Sequence, residues 1–153
     1  MMANIKIVKM EQRHLPGILE LERGSFSDPW SENMFREEIK DDGRRLSLVL
    51  EEGNILLGYA IGWVVVDEFH LGNIAINKDR RGNGLGRFLL TEIMKQAYQR
   101  GCRVASLEVR LSNDPAIELY KKIGFKPIAI RKEYYRDEDA LVMLTDIAQE
   151  PKC

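Results

Sequence analysis

The stretch RRGNGLGRFLL, residues 80–90, places Gly82, Gly84 and Gly86 on alternate positions and then runs straight into an apolar helical pattern. Glycines so spaced let a backbone turn sharply and lie close to another group. At a helix start, such a turn gathers several N–H groups beside the positive end of the helix dipole, a ready site for a diphosphate. Two nucleotide-binding patterns fail on spacing. A P-loop opens its helix with Gly-Lys-Ser/Thr, whereas this chain has Gly86-Arg87-Phe88. In a G-x-G-x-x-G fingerprint the third glycine falls on Arg87 if read from Gly82 and on Leu89 if read from Gly84. What stays is Arg81-x-x-Gly84-x-Gly86 between a strand and a helix, with Arg87 adding charge. The plainer alternative is a turn that merely starts a helix.

Around this loop the sequence alternates strand and helix signals. NIKIVK reads as a short β-branched strand, and over about 12–23 the residues Leu15, Ile18, Leu19 and Leu21 roughly follow helical spacing. After the break SFSDPW, Ser31 is placed to cap a second helix carrying Met34, Phe35 and Ile39. Strands follow at LSLVL, 55–66 and 69–76, the first two joined by the hairpin signal EEGN. Leu85, Phe88, Leu89, Ile93 and Ala97 form one face of a long helix that Gly101 stops. VASLEVR is a strand. SNDPAIELYKKIGF is a compact helix, capped by Asn113 or Asp114, with Pro115 in its first turn and Gly124 past its end. Strands over about 126–134 and 140–145 close the chain. The order β-α-α-β-β-β-α-β-α-β-β predicts one mixed α/β domain over residues 1–153, with a mostly antiparallel central sheet and flanking helices.

Composition narrows the function classes. A net charge of −1 leaves no surplus of Lys and Arg for nucleic acid. The longest apolar run, AIGWVVV, is too short to span a bilayer, and MMANIKIVK has no signal-peptide pattern. Cys102 and the final residue Cys153 suit a reducing compartment, and no Cys/His spacing matches a metal site. These features predict a cytoplasmic protein with no metal, no direct nucleic-acid partner and no membrane partner.

Several residues stand out as chemistry carriers. In ASLEVRL the alternation sets Leu107 and Val109 on one face and Ser106, Glu108 and Arg110 on the other. A carboxylate in mid-strand is either a proton acceptor or a solvated partner of Arg110. Tyr120 shares a helix face with Ala116, Leu119 and Ile123, which by itself describes a core tyrosine. His70 is a weaker candidate for a second base. Cys102, just past Gly101, reads as a small buried residue.

The loop resembles the pyrophosphate loop of the GNAT superfamily of N-acetyltransferases, R/Q-x-x-G-x-G/A between a strand and a long helix. DPWSE (28–32), GNIAI (72–76), LEVRLSNDPAIELYKKIGF (107–125) and RKEYYRDEDALVM (131–143) resemble one branch, the bacterial ribosomal-protein-alanine N-acetyltransferases. The resemblance implies acetyl-CoA as cosubstrate, a sheet with splayed strands, and direct attack of an amine on the thioester. It implies that Arg81, Gly82, Asn83, Gly84, Leu85, Gly86 and Arg87 hold the diphosphate. Ile74, Ala75 and Ile76 would then lend main-chain contacts to the pantetheine arm, with Gly72 forming a bulge that opens the gap. It assigns Glu108 as base, Tyr120 as acid to the leaving thiolate, and Asn113 as a cofactor contact, a role compatible with capping. Trp30, Tyr134 and Tyr135 fall on the acceptor side, where the alternative is ordinary aromatic packing.

The branch acts on a protein N-terminus, here by resemblance the N-terminal alanine of a small-subunit ribosomal protein. An α-amino group, with a pKa of about 8 against about 10.4 for lysine, is partly neutral at pH 7, so one modest base suffices. Lysine side chains or small amines are the alternative acceptors on the same cofactor site. A non-catalytic acetyl-CoA sensor is disfavoured because Glu108 and Tyr120 are both present.

Overall fold

The alternating and helical patterns resolve, in the computed structural model of residues 4–40 and 42–148, into seven strands and four helices in the expected order. The strands are β1 (Ile5–Lys9), β2 (Arg45–Glu52), β3 (Ile55–Val65), β4 (Glu68–Ile76), β5 (Val104–Arg110), β6 (Lys126–Tyr135) and β7 (Glu138–Asp146). The helices are α1 (Leu15–Ser25), α2 (Glu32–Glu38), α3 (Leu85–Gln99) and α4 (Asp114–Ile123). Of the two cysteines, Cys102 is buried after α3, and Cys153 lies outside the described residues.

One sheet of order β1-β2-β3-β4-β5-β7-β6 carries the fold. Its pairs are antiparallel except β4 with β5. Helices α3 and α4 cover one face, packing on Leu46, Leu48, Leu50, Phe69, Leu71 and Leu107. Helices α1 and α2 cover the other, on Val49, Tyr59, Ile61 and Ala75.

Helix α3 shows which force holds the glycine loop in place. Its N-cap is Gly84, which offers no side-chain acceptor, a deficit of roughly a few tenths of a kcal/mol relative to Ser or Asp. Leu85, Leu89, Leu90, Ile93, Met94 and Ala97 are buried beneath it. Each large one contributes about 2 kcal/mol, so burial outweighs the missing cap several times over. The buried stripe is centred further round the helix than the sequence pattern indicates. Leu90 and Met94 lie inside, and Phe88, at the stripe's edge, is 37% exposed. On α2, Phe35 is likewise the anchor and Met34 is exposed. Ser31 caps α2 as expected, accepting the N–H of Met34 at 3.3 Å.

A single residue breaks the regularity of β4. Ile61 pairs with Asn73 and Gly62 with Leu71, so Gly72 is the extra residue of a bulge. Because side chains alternate every residue, one insertion exchanges the faces. Phe69 and Leu71 before the bulge, and Ile74 and Ile76 after it, all face the α3/α4 core. His70 and Asn73 consequently point to the α1/α2 side. Glycine is required here by crowding, since a Cβ would sit 2.2 Å from the Trp63 ring.

The α1/α2 side is tied to the bulge by Glu22, a carboxylate only 1% exposed. It accepts the backbone N–H of Trp30 at 2.8 Å, the Nδ2 of Asn73 at 2.9 Å and the hydroxyl of Tyr59. Burial, followed by this neighbouring carboxylate, raises the Tyr59 phenol far above its ordinary range, so it remains a donor. Glu22→Ala leaves three donors unpaired, Tyr59 fully buried and Trp30 and Asn73 partly so, and should cost about 3 kcal/mol, against about 1 kcal/mol for Tyr59→Phe. Urea midpoints of the two variants check the order. Equal, small losses would show that the three donors find other acceptors.

Candidate active site

Strands β4 and β5 pair over only four rungs, from Glu68↔Val104 to Leu71↔Leu107. Beyond them β4 stays with β3 to Ile76 and β5 stays with β7 to Arg110, so the facing edges part. The N–H of Asn77 bonds the carbonyl of Leu57 at 2.7 Å, which fixes the backbone phase of β4. By alternation Asn73 and Ala75 turn their peptide groups to β3, and Ile74 and Ile76 turn theirs to the gap. Of the three residues expected to offer main-chain contacts, Ala75 therefore has its peptide groups committed to β3. The carbonyl of Ile76 accepts Arg81 Nε at 3.0 Å, which leaves its N–H for the gap.

The glycine loop lies at the end of this opening. Gly82 and Gly84 have φ of 82° and 80°, the left-handed region where a side chain is strained. A Cβ on either would meet nothing within 4 Å, so backbone shape, not crowding, requires glycine there. Gly86 differs: its Cβ would lie 3.4 Å from Leu119 of α4. Among the described residues, no acceptor meets the N–H groups of residues 82–87. Arg87 Nε is buried without a partner, and so is Thr91 Oγ1 one turn further on. Arg81 is turned the other way, bracing the loop by donating to Ile76 and, at 3.3 Å, to Ser25 Oγ. Asn83 Nδ2 is spent on the carbonyl of Arg80 at 3.1 Å. Six unspent N–H groups and an unspent guanidinium nitrogen at a helix N-terminus fit a diphosphate. The loop's side chains mostly brace it, and its backbone faces outward.

Glu108 is the first residue of its face after β4 and β5 part, and its side chain is only 10% exposed. The pairing with Arg110 does not occur: Arg110 meets Asp137 at 2.5 Å and Glu138 at 3.4 Å, across the hairpin. Glu108 instead lies 3.0 Å from His70 Nε2 and 3.7 Å from Arg131. Burial, and after it the Glu108 carboxylate, raises the Tyr134 phenol. The adjacent Tyr135 donates its hydroxyl to the Glu108 carbonyl at 3.2 Å. Neighbours on a regular strand face opposite ways, but the β6 register shifts between Arg131 and Tyr135, and Glu133 takes a φ of 54°. That irregularity brings both tyrosines to Glu108.

Tyr120 comes from α4 on the opposite face of the sheet. It is 6% exposed, packed edge-on against Phe125 at 5.8 Å. Burial, with a smaller contribution from Tyr135, raises its phenol above the ordinary range and keeps it protonated. Tyr135, itself pushed up to about 12 chiefly by burial, therefore interacts with both Glu108 and Tyr120. Asn113 is the cap of α4, its Oδ1 accepting from Ala116 at 3.3 Å, so of the two capping candidates it is the one used.

Trp30 and His70 are joined by a residue that sequence reasoning did not single out. Trp63 stacks on Trp30 at 6.2 Å and on His70 at 5.8 Å, both with an interplanar angle of 17°. Its Nε1 donates to Glu38, which also takes Arg45 at 3.1 Å. Glu22, Asn73 and Arg131 are likewise unanticipated. For Glu22 a signal existed: it continues the Leu15, Ile18 stripe of α1 at helical spacing, an acid on an apolar face. No described helix is long and apolar enough to cross a membrane. Among the described residues no cluster of His, Cys, Asp and Glu could hold a metal ion.

Residues 15–125 match the Acetyltransferase (GNAT) family. The chain is 39% identical over 140 residues to a putative ribosomal protein bS18-alanine N-acetyltransferase of Bacillus subtilis, covering 90% of this chain and 93% of that one. It is 36% identical over 146 residues to the bS18-alanine N-acetyltransferase of Escherichia coli K12, covering 93% and 97%. The crystal structure of the Escherichia coli ribosomal-protein alanine N-acetyltransferase superposes with a TM-score of 0.85 over 94% of both chains. A parted sheet, a backbone-lined loop at its end and a family match across both make this chain a member of the GNAT acetyltransferase family, whose acetyl donor is acetyl-CoA.

Proposed function

We propose that the chain, acting as one domain, transfers an acetyl group to the N-terminal amine of a protein. The acceptor we assign is the N-terminal alanine of ribosomal protein bS18. The observation that carries the proposal is Glu108 at the mouth of the β4–β5 gap, nearly buried, with His70 and Arg131 at its carboxylate and Tyr134 and Tyr135 beside it. The names of relatives matching nine-tenths of the chain support the choice of acceptor. An acceptor of this kind places the enzyme in the cytoplasm.

The N–H groups of residues 82–87 and Arg87 hold the diphosphate, with Ile74 and Ile76 lining the gap and Asn113, at the start of α4, contacting the cofactor. Acetyl-CoA supplies an activated acetyl thioester, and the chain's own residues manage protons and orientation. Glu108 takes the proton from the incoming ammonium group, directly or through water, so that the neutral amine can attack. Tyr120, kept protonated by burial, donates to the departing thiolate. No covalent enzyme intermediate is needed, so the burial of Cys102 is no obstacle. Trp30, Tyr134 and Tyr135 flank the acceptor.

Glu108→Gln should lower kcat by about a hundredfold or more with the KM for acetyl-CoA little changed, in the range that a positioned base contributes. Mass spectrometry of a peptide panel varying the first residue, with internal-lysine controls, measures this and the acceptor choice together. Acetylation confined to lysine side chains would overturn the N-terminal assignment. Gly84→Ala forces a side chain into the left-handed region and should weaken acetyl-CoA binding by about five- to tenfold, roughly 1–1.4 kcal/mol, in calorimetric titration. Unchanged affinity would remove the loop from the cofactor site.

A further inference from the structure

The proposed reaction leaves His70 without a role. It pairs with Ser106 on the second last of the four rungs joining β4 to β5. Two residues along the same face of β5, past the point of parting, stands Glu108. The histidine therefore spans diagonally from the closed part of the sheet to the open part, with Nε2 3.0 Å from Glu108 Oε1.

Three contacts leave the ring little freedom. Trp63 covers one face in a near-parallel stack, and Trp63 is itself held by Glu38 through Nε1 at 2.8 Å. Ser106 Oγ lies 3.1 Å from Nδ1. A carboxylate only accepts, so the proton of the Nε2···Glu108 contact belongs to His70, while the Ser106 hydroxyl, able to donate or accept, partners Nδ1 on the other side of the ring. The other groups facing Glu108 are less rigid holders. Arg131 stands at 3.7 Å on an exposed strand and is 58% exposed, and Tyr134 is 43% exposed.

We propose that His70 is a positioning residue, which fixes the Glu108 carboxylate by a hydrogen bond from Nε2 and so aims its second oxygen at the acceptor amine. The inference rests on the reading of Glu108 as base. The histidine itself neither takes a proton from the amine nor touches the cofactor. It is built into the paired part of the sheet, where the acceptor's arrival does not disturb it. A base held by a group on rigid structure loses less rotational freedom on reaching the productive geometry.

Two variants separate the ring from its donor. His70→Phe keeps the stack on Trp63 and the volume but removes both nitrogens. His70→Gln loses the ring but carries an amide N–H able to reach the same carboxylate oxygen. His70→Phe should lower kcat by about ten- to a hundredfold, with the KM for acetyl-CoA unchanged. His70→Gln should restore kcat to within about threefold of the parent, and thermal melts confirm that both variants fold. Full activity of His70→Phe, or equal loss in His70→Gln, would overturn the proposal, the latter because the ring and not the donor would then matter. In the Glu108→Gln background, His70→Phe should cause no further loss. A further loss of the same factor there would show that His70 acts independently of Glu108, and the proposal would fall. Should Glu108→Gln alone keep its activity, the base assignment fails instead, a result visible without touching His70.

Discussion

The parting of β4 from β5 after four rungs is the constraint on which the rest of the molecule depends. Two parallel strands that paired along their full length would bury Ile74 and Ile76 in a continuous ladder and close the sheet. Instead their N–H groups face the open gap, a row of donors that would suit the amides of an extended ligand. The bulge at Gly72 sits on the strand where pairing with β5 stops. It also exchanges the faces of β4, so that Asn73 turns to Glu22 while Ile74 and Ile76 join the apolar core.

The sheet separates two kinds of work. On the α3/α4 side the burial is apolar, and its stabilisation lets α3 keep an uncapped N-terminus directed at the glycine loop. On the α1/α2 side, buried polar groups dominate: Glu22 with Trp30, Tyr59 and Asn73, Glu38 with Trp63 and Arg45, and His70 with Glu108. Each of these carboxylates is nearly enclosed and bonded, the condition under which a buried charge is tolerated. Together they fix the Trp30 segment, the aromatic stack and Glu108 as one rigid wall. Tyr120 alone approaches from the apolar side, where burial keeps its phenol protonated, as the proposed role of proton donor needs.

Periodic features were legible in the sequence because they depend on near neighbours. The element order, the caps at Ser31 and Asn113 and the alternation of β5 all follow from local spacing. The glycine loop was legible as a tight turn at a helix start, though the structure gives each glycine its own reason: Gly82 and Gly84 supply positive φ in open space, and a Cβ on Gly86 would make ordinary contact with Leu119. Phe88 was misplaced because an amphipathic stripe has a soft edge, and packing against the sheet chose Leu90 and Met94 instead. Partnerships across long sequence separations left no trace in local pattern. Glu108 meets His70 and Arg131 and not the nearby Arg110, and Trp63 reaches Trp30 only through the sheet register.

The central claim is that the β4–β5 gap, continued by the glycine loop, receives the cofactor through backbone groups. Residue-resolved amide hydrogen exchange with and without coenzyme A tests this most directly. Protection should rise at Ile74, at Ile76 and along residues 82–87, while Ala75, already turned to β3, changes little. Binding of coenzyme A with exchange at Ile74 and Ile76 unaltered would contradict the claim.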